Sequence, residues 1–169
     1  MKKLLLEIEL IPASSWYSNV RSNVTKKQWD IIRNKVYSEA YNLCQICGEQ
    51  GNKHPVECHE MWEFDDFKLI QKLIGMIALC PMCHATKHYG LSKIQGKEEI
   101  IFNHFIKINN IDKVAVKHYI DSVFKIWETR SQKEWELDIS ILKNYGVDIY
   151  ESNNSKKDRV VKKSTTKNR

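Results

Sequence analysis

The chain has 169 residues, enough for about one domain with a single modest core. At 42% apolar and 28% charged, with six Gly and three Pro, its composition excludes collagenous and low-complexity classes. No apolar run approaches the ~18–20 residues of a membrane-spanning helix. The formal charge of +6 is concentrated in residues 155–169, which hold seven basic side chains against Asp158 alone, so residues 1–154 are neutral overall.

Met1 to Leu6 imitates the start of a signal peptide. Glu7 and Glu9 interrupt the apolar run before it reaches the ~7–15 residues of an h-region, which predicts a cytoplasmic protein with no membrane partner. Leu6, Ile8 and Leu10 alternate with Glu7 and Glu9 up to Pro12, a period of two that predicts a strand over 4–11. Thr25 and Gln28 have capping-box spacing ahead of Trp29, Ile32, Val36 and Ala40, so a helix is expected over about 26–41. From Cys44 to Gly90 the periodicity fails, apart from a short amphipathic piece around Phe67, Ile70, Leu73 and Ile74.

Beyond Gly90, Ile101, Phe105 and Ile108 predict a helix over about 96–109, and Val116, Tyr119, Ile120, Val123 and Trp127 another over about 112–130. Residues 135–150 are apolar enough to pack back on the body, whereas 151–169 has no apolar period and reads as a disordered basic tail. The expected organisation is an N-terminal strand and helix (1–43), a metal-bearing core (44–90), a helical region (91–150) and the tail (151–169).

Cys44-Gln45-Ile46-Cys47 and Cys80-Pro81-Met82-Cys83 form two C-x2-C pairs. In a short chain read as intracellular, two such pairs point to a structural zinc, because each tight turn presents two thiolates and the two turns close a tetrahedron. Closing it also brings everything between the pairs onto one root. That loop contains Glu57-Cys58-His59-Glu60, and His84-Ala85-Thr86-Lys87-His88 follows the last cysteine. With Pro81 opening a helix, His84 and His88 stand at i and i+4 on one face and can share a metal.

These motifs, from Cys44 to His88, resemble the zinc-bearing HNH (His-Me finger, ββα-metal) nucleases, which read C-x2-C, a strand with the active His, then C-x2-C-His opening a helix. The resemblance implies an α+β fold, with a ββα-metal core and four-cysteine zinc knuckle flanked by N- and C-terminal helices. It implies metal-dependent hydrolysis of DNA phosphodiester bonds, with His59 as general base and His84 and His88 as ligands of one divalent cation (Mg²⁺, Mn²⁺, Ni²⁺ or Zn²⁺) in addition to the structural Zn²⁺. Cys58 falls at the ligand position before the base, with Glu57 on the same strand face as His59, or Glu60, as the oxygen alternatives. Lys87 and the tail residues Lys156, Lys157, Lys162 and Lys163 are the expected phosphate contacts, to DNA or to RNA.

Two positions depart from the family. Cys58 replaces Asp, His or Glu, and Gly75 stands where the family has the Asn that orients the base, leaving Glu63, Asp65 or Asp66 as candidates for that task. The competing class is a catalytically inactive zinc-containing module that binds nucleic acid or protein. His54, His104 and His118 read as surface or helix-face residues, and Trp62 as a packing residue with base stacking the alternative.

Overall fold

The capping box forms as expected and starts the first long helix. In the computed structural model, which describes residues 3–147, Thr25 Oγ1 accepts from Gln28 N–H at 3.2 Å and Gln28 Oε1 accepts from Thr25 N–H at 2.8 Å. A single-turn helix α1 (Val20–Asn23) precedes this helix, α2 (Lys26–Glu39), which buries Ile32 and Val36. Thr25→Ala is expected to cost about 1 kcal/mol, read as a lower denaturant midpoint with an unchanged m-value.

After α2 come strands β1 (Glu57–Asp65) and β2 (Ile70–Leu79), an antiparallel hairpin that runs directly into α3 (Pro81–Lys87). Pro81 is the first helical residue, where its missing N–H costs nothing. The amphipathic piece read around Phe67 to Ile74 is the hairpin turn and the start of β2, and Phe67 at the turn is fully exposed. Helices α4 (Tyr89–Ile94), α5 (Glu98–Asn109) and α6 (Lys113–Arg130) follow. A short strand β3 (Glu136–Asp138) pairs parallel with β2, making a three-stranded sheet in the order β1-β2-β3, with β1 on the edge. The protein is therefore α+β, and among the described residues no helix is long and apolar enough to cross a membrane.

Strand alternation divides the hairpin between two cores. Cys58, Met76 and Ala78 face one, with Val24, Ile32 and Val36 and the 139–147 segment through Leu142. Ile77 and Leu79 face the other, with Leu6, Ile8, Tyr89, Phe105 and Val116 from the N-terminal segment and the α4–α6 helices. His59 pairs with Ile77 in the ladder and so belongs to the second face, while Cys58, pairing with Ala78, belongs to the first.

The expected strand over 4–11 is an irregular segment without strand partners among the described residues. Leu6 and Ile8 are buried as the alternation requires, but the backbone donors are taken by helix side chains. Asn109 Oδ1 accepts from Leu5 and Leu6 N–H (2.8 and 3.1 Å), and Tyr119 Oη accepts from Ile8 N–H (3.0 Å). The carbonyl of Lys87 accepts from Glu9 N–H at 2.9 Å. The segment is thus laid along the helices, which delivers Glu9 to the end of α3. Residues 151–169, including Lys156, Lys157, Lys162 and Lys163, lie outside the described residues.

Candidate metal centre and histidine cluster

The first C-x2-C pair is a tight turn closed by Gly48, whose N–H donates to the Cys44 carbonyl at 2.8 Å with φ at +75°, a conformation that favours glycine. This turn is fastened to the end of β2: Gln45 N–H donates to the Ala78 carbonyl (2.9 Å) and Gln45 Oε1 accepts from Ala78 N–H (2.8 Å). The second pair caps α3, with Cys80 Sγ accepting from Cys83 N–H at 3.5 Å.

The result is four thiols, Cys44, Cys47, Cys80 and Cys83, with sulfurs within 4.8 Å of one another. Zn–S bonds of ~2.3 Å place tetrahedral sulfurs roughly 3.8 Å apart, and Cys47 and Cys80 are separated by 3.6 Å. The donor set and spacing fit, and the group could hold a metal ion such as zinc. Hydrogen bonding between Cys44 and Cys83 lowers the Cys44 thiol and raises that of Cys83. His104, read as a surface or helix-face residue, lies half-buried on α5 with Nε2 3.2 Å from Cys83 Sγ. It is a second layer behind the cluster that sequence spacing gave no sign of.

Beside this root, β1 and α3 bring His59, His84 and His88 together, each offering one nitrogen within 4.8 Å of the others. Their rings meet edge to face at centroid distances of 4.7 to 5.3 Å. His84 and His88, one turn apart on α3 and its C-terminal cap, point their Nε2 atoms at each other across 3.2 Å. That is close to the roughly 3.3 Å that two imidazoles on one zinc would have with Zn–N bonds of ~2.0–2.1 Å. Burial first, and the neighbouring His59 next, lower both, His88 to about 3, so both rings stay neutral donors.

Two carboxylates stand behind the histidines. Glu57, on the same face of β1 as His59, accepts a hydrogen bond from His84 Nδ1, which leaves His84 Nε2 facing the cluster. Glu9 Oε2 is 2.9 Å from His59 Nε2, and its other oxygen binds Lys87 Nζ. Burial alone would raise the Glu9 carboxyl, but its contacts with His59, and then with the Lys87 ammonium, hold it below its usual range. His59 is 3% exposed in its side chain, and its remaining nitrogen, Nδ1, is buried without a partner among the described residues. A buried polar atom of this kind calls for a water, an ion or a ligand.

Several expected site residues are placed elsewhere. Cys58 is outside the three-histidine group: it packs in the first core, donates its N–H to Tyr37 Oη (3.2 Å), and burial pushes its thiol up to about 12. Its side chain faces away from His59 because adjacent strand residues point to opposite faces. Glu60 is on that face too, accepting from Val20 N–H at 3.0 Å, and burial raises it to about 7. Lys87 is 7% exposed and committed to Glu9, so it is not presented as a surface phosphate contact.

Asp65 caps the hairpin turn, accepting from Phe67 and Lys68 N–H, and Asp66 pairs with Arg130 Nη2 at 2.6 Å, tying that turn to α6. Neither orients His59. At Gly75, opposite Met61 beside a bulge, a Cβ would come within 2.9 Å of Met61 Cε, so a side chain there requires Met61 to move. The orienting contact to His59 comes instead from Glu9, about fifty positions earlier in the chain.

Comparison with family models, curated proteins and solved structures finds no match to this chain.

Proposed function

We propose that this protein is a metal-dependent endonuclease of the His-Me finger kind, with a zinc ion held by Cys44, Cys47, Cys80 and Cys83 and a separate divalent cation held by His84 and His88. The observation that carries the reading is the convergence of His59 from β1 with His84 and His88 from α3, immediately beside the four thiols. When bound, the second cation would neutralise charge that builds on the phosphate and its departing oxygen.

The chain's own residues supply the rest. With its Nε2–H donated to the Glu9 carboxylate, His59 has Nδ1 as the nitrogen that takes a proton from an attacking water. Glu9 holds that tautomer and ring orientation, as the absent Asn side chain at position 75 would be expected to do. Lys87 neutralises the second Glu9 oxygen and so keeps the carboxylate ionised in a buried place. Glu57 fixes the His84 ring, a carboxylate behind a ligand imidazole that sets its orientation and basicity.

The test is incubation of the purified protein with supercoiled plasmid and Mg²⁺, Mn²⁺, Ni²⁺ or Zn²⁺, against chelator and His88→Ala. Metal-dependent nicking or linearisation that His88→Ala lowers by at least tenfold is expected. No cleavage with any of these metals, in protein that is folded and zinc-loaded, would sink the reading and leave the noncatalytic binding module.

A further inference from the structure

A cavity of about 400 Å³ opens along the free edge of β1, within the range of small-ligand sites. His59, His84 and His88 form one end of its wall, and its apolar wall is dominated by Trp16, Trp29 and Trp62. Trp16 is held by a short 3-10 turn and is 52% exposed, far more than a residue needed only for packing. Gln71, fully buried in the cavity wall, donates Nε2–H to the Ser18 carbonyl at 3.1 Å, while its Oε1 has no partner among the described residues.

A second cleft, of about 640 Å³, shares Arg21, Trp29 and Cys58 with this cavity and continues along α2 past Thr25, Lys26 and Arg33. Its carboxylates are already engaged, Asp30 by Arg33 at 2.8 Å and Glu57 by His84. Arg21 and Lys26 are exposed and form no ion pair among the described residues, so the cleft offers uncommitted positive charge. An aromatic recess next to a cationic track is the arrangement that single-stranded nucleic acid uses, its bases on the rings and its phosphates on the cations. A duplex has no free base face to offer the recess, because its bases are stacked on one another.

We infer that the Trp16–Trp29–Trp62 cavity receives one unstacked base of a single-stranded nucleic acid, whose flanking phosphates run over Arg21 and Lys26 and past the three histidines. The choice of ligand rests on the phosphodiester reading of the histidine cluster. It makes the preferred substrate a single-stranded or locally opened polynucleotide.

The test uses the zinc-loaded 169-residue chain carrying His59→Ala, so that nothing is cut, and measures fluorescence anisotropy of a labelled single-stranded oligodeoxynucleotide and of its duplex. Tighter binding of the single strand is expected. Trp16→Ala should weaken it by roughly tenfold or more, with duplex binding and thermal stability unchanged, and Trp16→Phe should restore most of the loss. Arg21→Ala should weaken single-strand binding and lessen its salt dependence.

Equal affinity for the two forms, with Trp16→Ala silent, would overturn the inference even if the plasmid is cleaved. Trp16-dependent single-strand binding, where the unsubstituted chain cuts no plasmid with any of the metals, would support the base site while removing the nuclease reading.

Discussion

Removing metal from the four-cysteine cluster, by a strong chelator or by Cys80→Ser, is expected to unfold the part of the protein that carries the histidines. Cys44, Cys80 and Cys83 belong to the second core, with Leu79, Tyr89, Phe105 and Leu6, and the cluster joins the turn before β1 to the start of α3. Structural zinc contributes an apparent ~10–16 kcal/mol in small peptides, as large as the ~5–15 kcal/mol net stability of a whole domain. Without metal, four thiols within 4.8 Å must either keep their protons in a buried place or repel one another. The expected result is about one zinc per chain by mass spectrometry, with chelation or Cys80→Ser lowering the melting temperature by well over 10 °C. A metal-free protein that melts where the metal-loaded one does would show that the cluster is a packed thiol group.

The second large effect is on catalysis. His59→Ala is expected to lower plasmid cleavage by about 10²- to 10⁴-fold, the usual contribution of a positioned general base. Zinc at the cysteines should remain, since His59 is not among the thiols. If His59 acts as base, the variant also keeps the cation at His84 and His88; loss of that cation would make His59 a third ligand instead.

Glu9 allows a finer test. Glu9→Gln keeps an oxygen acceptor near His59 but strands the buried Lys87 ammonium, so stability and rate should both fall. Adding Lys87→Met removes the stranded charge, and the double variant should regain the melting temperature while kcat stays at least tenfold low with KM little changed. A double variant that cuts at the wild-type rate would reduce Glu9 to a structural partner of Lys87.

Much of this architecture is legible in the linear order of residues. The capping box of Thr25 and Gln28, the apolar spacing of α5 and α6 and the two C-x2-C turns are local patterns, decided within a few residues of themselves. The joining of the two knuckles then predicts that His59 meets His84 and His88, and the structure brings those three nitrogens together. Cys58 shows where linear reading reaches its limit. Adjacency in sequence makes it look like a ligand, whereas strand alternation turns it away from His59 into the other core.

The remaining decisions belong to the tertiary structure. An alternating segment such as 4–11 becomes a strand only where another strand offers acceptors; here Asn109, Tyr119 and the Lys87 carbonyl take its donors, so it lies along the helices. That docking carries Glu9 to His59 and Lys87, and α5 similarly brings His104 to Cys83. Sequence by itself determined the cysteine and histidine pairs, their spacing and the helices that carry or support them, because turns and helices are set by short-range geometry. Only the tertiary structure decided which carboxylate orients His59, which face Cys58 takes and where the tryptophan cavity opens. Those depend on contacts between residues tens of positions apart, and no local period records them.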